Sequence, residues 1–404
     1  MRGFYSQVVA HQSGGAFSVR LGALAHPPQA QLDGFKARAL RTEAPAKRDL
    51  YMTQWQTLKA TDAVQTALLM LGSVHEWRSH RASGKQPPST RRGGKWSATV
   101  VALSAEHGSS LMLPMIALEA VLTVVQACMS TETALPLWLV GSGTQERHHS
   151  AHAGAWGLAR SARAEERMPL SCVDGDTPAA FVLCLLQMEY EASIRFHTCV
   201  VPRLVDAGRL IVASGTSPSC GAHLISGGTG GLGLLTARWL AQRGCTSVTL
   251  ISRSGTLAGD SLGELKGIAA NHKVATCVQR CDTSEAAHVR CAALFNGTGL
   301  FHAAGSLADS ILLKQSAAAL THVYAPKVHA AWLLQNAHKS VPLCTHTLFS
   351  SVSALLGGAA QANYSAANAC LDALASCSSA QSQAVVSVQW GAWAEVGMAA
   401  RGAA

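Results

Sequence analysis

The chain is 404 residues long, 48% apolar and 14% charged, with 32 Lys and Arg against 23 Asp and Glu for a formal charge of +9. That length admits two or three domains, and the composition describes a well-packed globular protein. An apolar run long enough for a transmembrane helix is missing, and the opening MRGFYSQVVAHQSGG lacks the apolar core and cleavage site of a signal peptide. The twelve cysteines form no CxxC pair, and Cys277 and Cys281, the closest two, have no histidine pair at zinc-ligand spacing. They read as thiols of a reducing, cytoplasmic compartment, with no metal. The basic residues are spread out, densest at Lys85, Arg91, Arg92 and Lys95, without the interleaved aromatics of a nucleic-acid surface. An acidic protein partner suits this field better.

Taken in order, residues 1–49 are too short for a core of their own, although 16–21 (AFSVRL) alternates like a strand and 32–40 suggests another short element. They are expected to be a linker or the tail of a preceding domain, in a chain cut from something longer. Residues 50–213 then alternate strand and helix. Strands are predicted at 51–55, 98–103, 137–140 and 193–200, and helices at 60–71 (with Asp62 as cap), 113–128 and 153–166. The Ser-, Gly-, Pro- and Arg-rich stretch 79–95 reads as an exposed loop. This pattern predicts a parallel sheet, and with no phosphate loop in it, a unit without a cofactor site of its own.

Residues 214–221 (SGTSPSCG) mark a boundary, and 214–404 form the third segment. A strand at 223–226 runs into the glycine loop Gly227, Gly228, Thr229, Gly230, Gly231, Leu232, Gly233, and a helix follows to about 242, closed by Gly244. Strand, glycine loop and helix in that order place a pyrophosphate at a helix N-terminus. The next strand, 247–252, ends at Ser252 and Arg253, where an acid would mark a free ribose hydroxyl and an Arg marks a 2′-phosphate. NADPH is therefore favoured over NADH. A strand at 273–279 leads to Asp282, placed for the adenine. One at 299–302 leads to His302, Ala303, Ala304 and Gly305, placed for the nicotinamide ribose. A helix over 321–334 carries Lys327, and a strand ending at Ser351 precedes a helix bearing Tyr364 and, one turn on, Asn368. A strand-end serine and a helical tyrosine make a polar pocket that can protonate a carbonyl oxygen, provided a cation lowers the phenol from its usual pKa of about 10. Lys327 is that cation. A last strand at 384–390 leads into 391–398 (GAWAEVGM), a loop able to fold over a substrate.

GGTGGLG, SRSG at 252–255, HAAG at 302–305, PK at 326–327, FSS at 349–351, NYSAANACLDALA at 363–375 and WGAW at 390–393 occur in this order. Together they resemble the ketoreductase domain of type I polyketide synthases, a branch of the short-chain dehydrogenase/reductases. LYMTQW at 50–55 and GAWGLARSARAE at 154–165 resemble segments of that family's structural subdomain, and residues 1–49 faintly resemble the last strands of a dehydratase-like domain.

The resemblance implies two Rossmann-like subdomains, a degenerate structural one and a cofactor-binding catalytic one. It implies NADPH-dependent reduction of a β-ketoacyl thioester on a phosphopantetheinylated acyl carrier protein, beside neighbouring synthase domains, with no nucleic acid and no membrane insertion. Tyr364 becomes the acid, Ser351 the hydroxyl that holds the ketone oxygen, and Lys327 with Asn368 the pair that orients the ribose. Substrate and stereocontrol positions are Asp309, Leu356, Gln361, Trp393 and Met398. The family's LDD stands here as Leu307, Ala308, Asp309, and Leu356 occupies the place of a class-marking Trp. This is similar to the B-type pattern, which gives a D (3R) hydroxyl. A redox-silent domain of a megasynthase is the alternative, and it would need a broken glycine loop or a lost catalytic residue. A methyltransferase would leave Lys327, Ser351 and Tyr364 without work.

Overall fold

A computed structural model of the chain describes residues 4–10, 16–23, 30–36, 51–57, 68–73, 98–103, 113–130, 136–141, 152–166, 168–175, 189–195, 198–206, 221–292, 297–339, 343–380 and 385–393. It divides into two units, Met1–Met52 with Leu204–Leu210, and Thr53–Arg203 with Ile211–Ala404. In the first unit, β1 (Phe4–Ala10), β2 (Ala16–Ala23) and β3 (Ala30–Lys36) form an antiparallel sheet, with Phe4 opposite Ala23.

The N-terminal half of the second unit is a seven-stranded sheet. Its strands are β4 (Tyr51–Thr57), β5 (Leu68–Ser73), β6 (Ala98–Ala102), β7 (Leu137–Gly141), β8 (Leu170–Gly175), β9 (Glu191–Arg195) and β10 (Thr198–Asp206). The order is β4-β10-β9-β8-β7-β6-β5, with β5 to β9 parallel and β9–β10 antiparallel. The parallel strands follow one another in chain order without reversal. Among the described strands of this sheet there is therefore no reversal of winding of the kind at which open α/β sheets bind ligands.

Two expectations fail in this half. The described end of the helix expected over 60–71 is strand β5, because its first four residues, LLML, are an unbroken apolar run with no periodicity to choose between the two. The single strand expected at 193–200 is two antiparallel strands, β9 and β10, and the sequence between them, Phe196 and His197, has none of the usual turn residues that would have marked the break. Helices α1 (Leu113–Met129) and α2 (Ala153–Glu166) lie where they were expected.

The C-terminal half builds a six-stranded parallel sheet from β11 (Ala222–Ser226), β12 (Ser247–Ser252), β13 (Ala275–Arg280), β14 (Gly299–His302), β15 (Thr345–Ser351) and β16 (Val385–Trp390). Its order is β13-β12-β11-β14-β15-β16, so the direction of winding reverses between β11 and β14. Alternation along the strands fills two layers. Ile225, Leu250 and Phe301 face α3 (Gly231–Gln242) and α4 (Gly259–His272), while Leu224, Ile251 and Leu300 share the other face with Val289 of α5 (Ala286–Ala292).

The helix expected over 321–334 is in three pieces. These are α6 (Ala317–Tyr324), a π-helical turn at Ala325–His329 and α7 (Ala330–Ala337). Pro326 cannot donate a backbone hydrogen bond, so the helix widens there. After β15 come α8 (Ser353–Leu356) and α9 (Ala362–Ala380).

The two halves share one core. Leu118, Val121 and Val125 of α1 and Trp156 and Ala159 of α2 are buried in the same cluster as Ala362, Ala366, Cys370 and Leu371 of α9. Helices α2 and α9 nearly touch, since a Cβ on Gly157 would lie 2.3 Å from the backbone oxygen of Ser365. Ser161 Oγ bonds Ser365 Oγ at 2.8 Å beside this contact. Arg160 and Arg163 of α2 pair with the buried Glu191 of β9. Burial alone would push that carboxyl up, but the two guanidiniums hold it below its usual value.

Candidate active site

The strands β11, β12, β13 and β14 end together around the switch point, and a cavity of about 450 Å³ opens over them. The loop after β11 explains its glycines. Gly227 has φ +67°, and a Cβ there would lie 2.6 Å from Ala304 Cα; a Cβ on Gly233 would meet Gly228 Cα at 2.5 Å. The glycines thus let β11, its loop, α3 and the turn after β14 close on one another. The N-terminus of α3 carries no side-chain cap and no acidic residue in its first turn. Its free amides and dipole are left to face an anion.

Of the residues expected to hold a cofactor, Gly227, Thr229, Gly230, Gly231, Leu232, Gly233, Ser252, Arg253, Asp282, Ala303, Ala304 and Gly305 line the cavity, joined by Pro326 of the π turn. Arg253 is exposed at the end of β12. Asp282 caps its own turn, its Oδ1 accepting from Ser284 N at 3.0 Å. The other two lie beneath. Gly228 packs on Ile225 and Leu250. His302 is fully buried, with Nδ1 2.5 Å from Ser226 Oγ and Nε2 2.8 Å from the Lys327 carbonyl.

Burial holds the His302 pKa down to about 3, so the ring is neutral. A carbonyl can only accept, so Nε2 carries the proton and Ser226 donates to Nδ1. His302 is therefore a strut that ties β11 to the π turn rather than part of the cavity wall. Ser226 supplies the hydroxyl this strut needs.

That strut helps to place Lys327, which is buried, with Nζ donating to the Phe349 carbonyl at 3.0 Å. Its Nζ also lies 5.2 Å from the centre of the Tyr364 ring. Burial lowers the Lys327 pKa to about 8, and the charge of Asp372 works against that fall. Burial raises the Tyr364 phenol, while Ser351 and Asn368 pull it back by hydrogen bonding. The expected fall of the phenol below its ordinary value is thus not seen, because burial outweighs the two hydrogen bonds. Asn368 is fully buried, its amide donating to the Tyr364 carbonyl at 2.9 Å, and among the described residues its Oδ1 accepts no hydrogen bond.

Asp372, one further turn along α9, accepts from Ser387 Oγ at 2.6 Å and Gln389 Nε2 at 2.7 Å, bolting α9 to β16. Asn363 bonds the Ala308 carbonyl at 2.7 Å, and Gln361 Nε2 reaches Asp309 Oδ2 at 3.2 Å. Leu356 is 67% exposed, and the Trp393 ring packs at a tilt against Trp390, centroids 5.3 Å apart. Met398 lies outside the described residues, as do Asp62 and the basic cluster at Lys85, Arg91, Arg92 and Lys95. The supporting roles of Ser226, Asn363 and Asp372 went unread in the sequence. Each acts through a partner distant in the chain, and only the NYSAANACLD segment hinted at two of them.

A sheet reversing at its glycine loop, with a Tyr, a Ser and a Lys gathered at its C-terminal edge, defines a nicotinamide-dependent reductase of the short-chain type. The particular branch follows from comparison: residues 221–395 match the KR domain family, residues 53–204 match the Rossmann fold domain of the polyketide synthase extender module SpnB, and the chain belongs to the polyketide synthase ketoreductases.

Polyketide synthase GfsA of Streptomyces halstedii is 36% identical over 304 residues, 69% of this chain and 4% of that synthase. GfsB of the same organism is 44% identical over 192 residues, 46% of this chain and 3% of that synthase. The chain thus spans a small fraction of these proteins. An A-type ketoreductase of a modular polyketide synthase superposes with a TM-score of 0.74 at 25% identity, over 86% of this chain and 84% of that one. A ketoreductase from the first module of phoslactomycin biosynthesis in Streptomyces sp. HK803 gives 0.69 at 29% identity, over 86% and 83%. Among the described residues no helix is long and apolar enough to cross a membrane, and no cluster of side chains could hold a metal ion.

Proposed function

We propose that this chain uses NADPH to reduce the β-carbonyl of an acyl thioester carried on the phosphopantetheine arm of an acyl carrier protein, giving the D (3R) hydroxyl. The observation that carries the reading is the 5.2 Å approach of the Lys327 ammonium to the Tyr364 ring, with Ser351 in hydrogen-bonding reach of the phenol. A reduced nicotinamide supplies the hydride. Ser351 and Tyr364 donate to the carbonyl oxygen as negative charge develops on it, where fixed donors count most, and Tyr364 then gives up its proton. Lys327 keeps that proton mobile, and its own charge is held by Asp372 behind it.

Arg253 beside the cavity, with no acid at the end of β12, supports NADPH over NADH. The uncapped first turn of α3 supports a pyrophosphate. The open Oδ1 of Asn368 supports a ribose hydroxyl or a bridging water as its donor. Asp309, kept in its motif, and Leu356 in place of Trp support the B-type outcome; fold likeness to an A-type ketoreductase does not bear on that choice. The net charge of +9 supports an acidic carrier.

The test is oxidation of NADPH by a β-ketoacyl thioester of N-acetylcysteamine or of a carrier protein, with chiral analysis of the alcohol. NADPH should outperform NADH, the product should be D, and Tyr364→Phe should lower kcat by roughly 10²–10⁴-fold with cofactor binding kept. Tight NADPH binding without turnover on either substrate would make this a redox-silent domain.

A further inference from the structure

The carboxylate of Glu165, near the end of α2, is shared between two backbone amides. Oε1 accepts from Leu312 N at 2.5 Å and Oε2 from Ala360 N at 2.9 Å. These amides lie on different segments of the C-terminal half. Leu312 is three residues after Asp309, on the chain that leaves β14, and Ala360 immediately precedes Gln361, on the chain that enters α9. The segments also meet directly, since Ser310 N donates to the Ala360 carbonyl at 2.9 Å and Gln361 bonds Asp309.

Ala360 has φ +63°, a left-handed conformation that costs a residue with a Cβ. Such a conformation persists where its surroundings over-determine it, and both the N–H and the C=O of Ala360 are engaged. The carboxylate comes from the N-terminal half of the second unit, yet it closes the junction of the two segments that flank Tyr364.

We propose that Glu165 is a positioning residue for the substrate. By bridging Leu312 and Ala360 it fixes the Asp309 and Gln361 segments to each other, and through them the face of the ketone offered for reduction. The proposal rests on the reductase reading above. Glu165 does not touch the reacting atoms. A carboxylate with the reach of Glu meets the requirement, because Gln offers one acceptor and turns an N–H toward the second amide, and Asp is one methylene short.

Two readouts on the full chain test it in Glu165→Ala and Glu165→Gln. In Glu165→Ala, amide hydrogen exchange should speed up about tenfold or more at both 310–312 and 358–361, as loss of a hydrogen bond to a charged acceptor requires, while the glycine loop keeps its protection. In Glu165→Gln one segment should keep its protection, and this isosteric variant covers the case in which Glu165→Ala does not fold.

With the thioester substrate, KM should rise more than kcat falls and the minor alcohol enantiomer should increase, at unchanged NADPH affinity. Unchanged exchange in both segments overturns the bridge. Altered exchange with an unchanged enantiomer ratio and KM overturns its role in positioning. An inactive wild type overturns the reductase reading, and the exchange result then decides the bridge on its own.

Discussion

His302 and His346 are buried in the C-terminal half, and burial lowers them to pKa values of about 3 and about 4. In the unfolded chain both sit near the ordinary 6.5 or so. As pH falls below that value the unfolded state takes up protons that the folded state refuses, so stability is lost from about pH 6.5 downward until the folded values are reached. Each histidine contributes at most about 1.4 kcal/mol per pH unit in that window. Urea unfolding followed between neutral pH and pH 5 should show this decline, and His346→Gln should remove about half of it. An equally steep decline in the variant would mean that other groups carry it. Lys327, lowered by burial to about 8, acts in a different window: between that value and the ordinary lysine pKa the unfolded chain again binds the extra proton, so this group adds stability as pH rises.

At the scale of elements, the contact of α2 with α9 governs how firmly Tyr364 is held, since Ser365 at the contact is the next residue. Gly157→Ala would force a methyl group into the backbone of Ser365. It should cost about 1–3 kcal/mol of stability, as overpacking does, and should lower kcat as well. Gly263→Ala in α4, where a Cβ meets nothing within 4 Å, is the control. It should leave kcat alone and add roughly 0.5–1 kcal/mol, the usual gain on replacing a mid-helix glycine. Denaturation midpoints and turnover of the two variants separate the outcomes.

The catalytic elements were legible in the sequence because each strand there is short and closed by punctuation. β12 stops at Ser-Arg-Ser-Gly, and β14 ends where His-Ala-Ala-Gly begins. The β9–β10 hairpin carries no such mark, and β5, although it closes at Gly72 and Ser73, begins as an apolar run that fits a helix as well as a strand. The π turn was masked because Pro326 sits inside an otherwise regular helical pattern. Glu165 could not be read at all. Its partners are backbone amides 147 and 195 residues away, and a backbone amide leaves no trace in residue type.

For the second unit as a whole, the shared core has a thermodynamic meaning. The cluster that contains Trp156 and Leu158 also contains Val328, Leu348 and Leu371, so neither half can lose its packing without baring apolar surface on the other. The two halves should therefore unfold in one cooperative transition, with far-UV circular dichroism and tryptophan fluorescence tracing the same curve in urea. Two separated transitions would show that the halves are energetically independent. Residues 214–404 produced alone should aggregate, because the face of α9 formed by Ala362, Ala366 and Cys370 would lose its cover.

The close approach at Gly157 also bears on how such a domain can be transplanted. A graft joined between the two sheets would set a foreign α2 against this α9. At the crossing point any side chain larger than hydrogen collides with the backbone of Ser365, and without a glutamate one step from the end of that helix, Leu312 and Ala360 lose their common acceptor. Residues 53–393 should therefore be moved as one piece. A chimaera cut inside that span is expected to keep its glycine loop and its tyrosine and still lose control over the alcohol it makes.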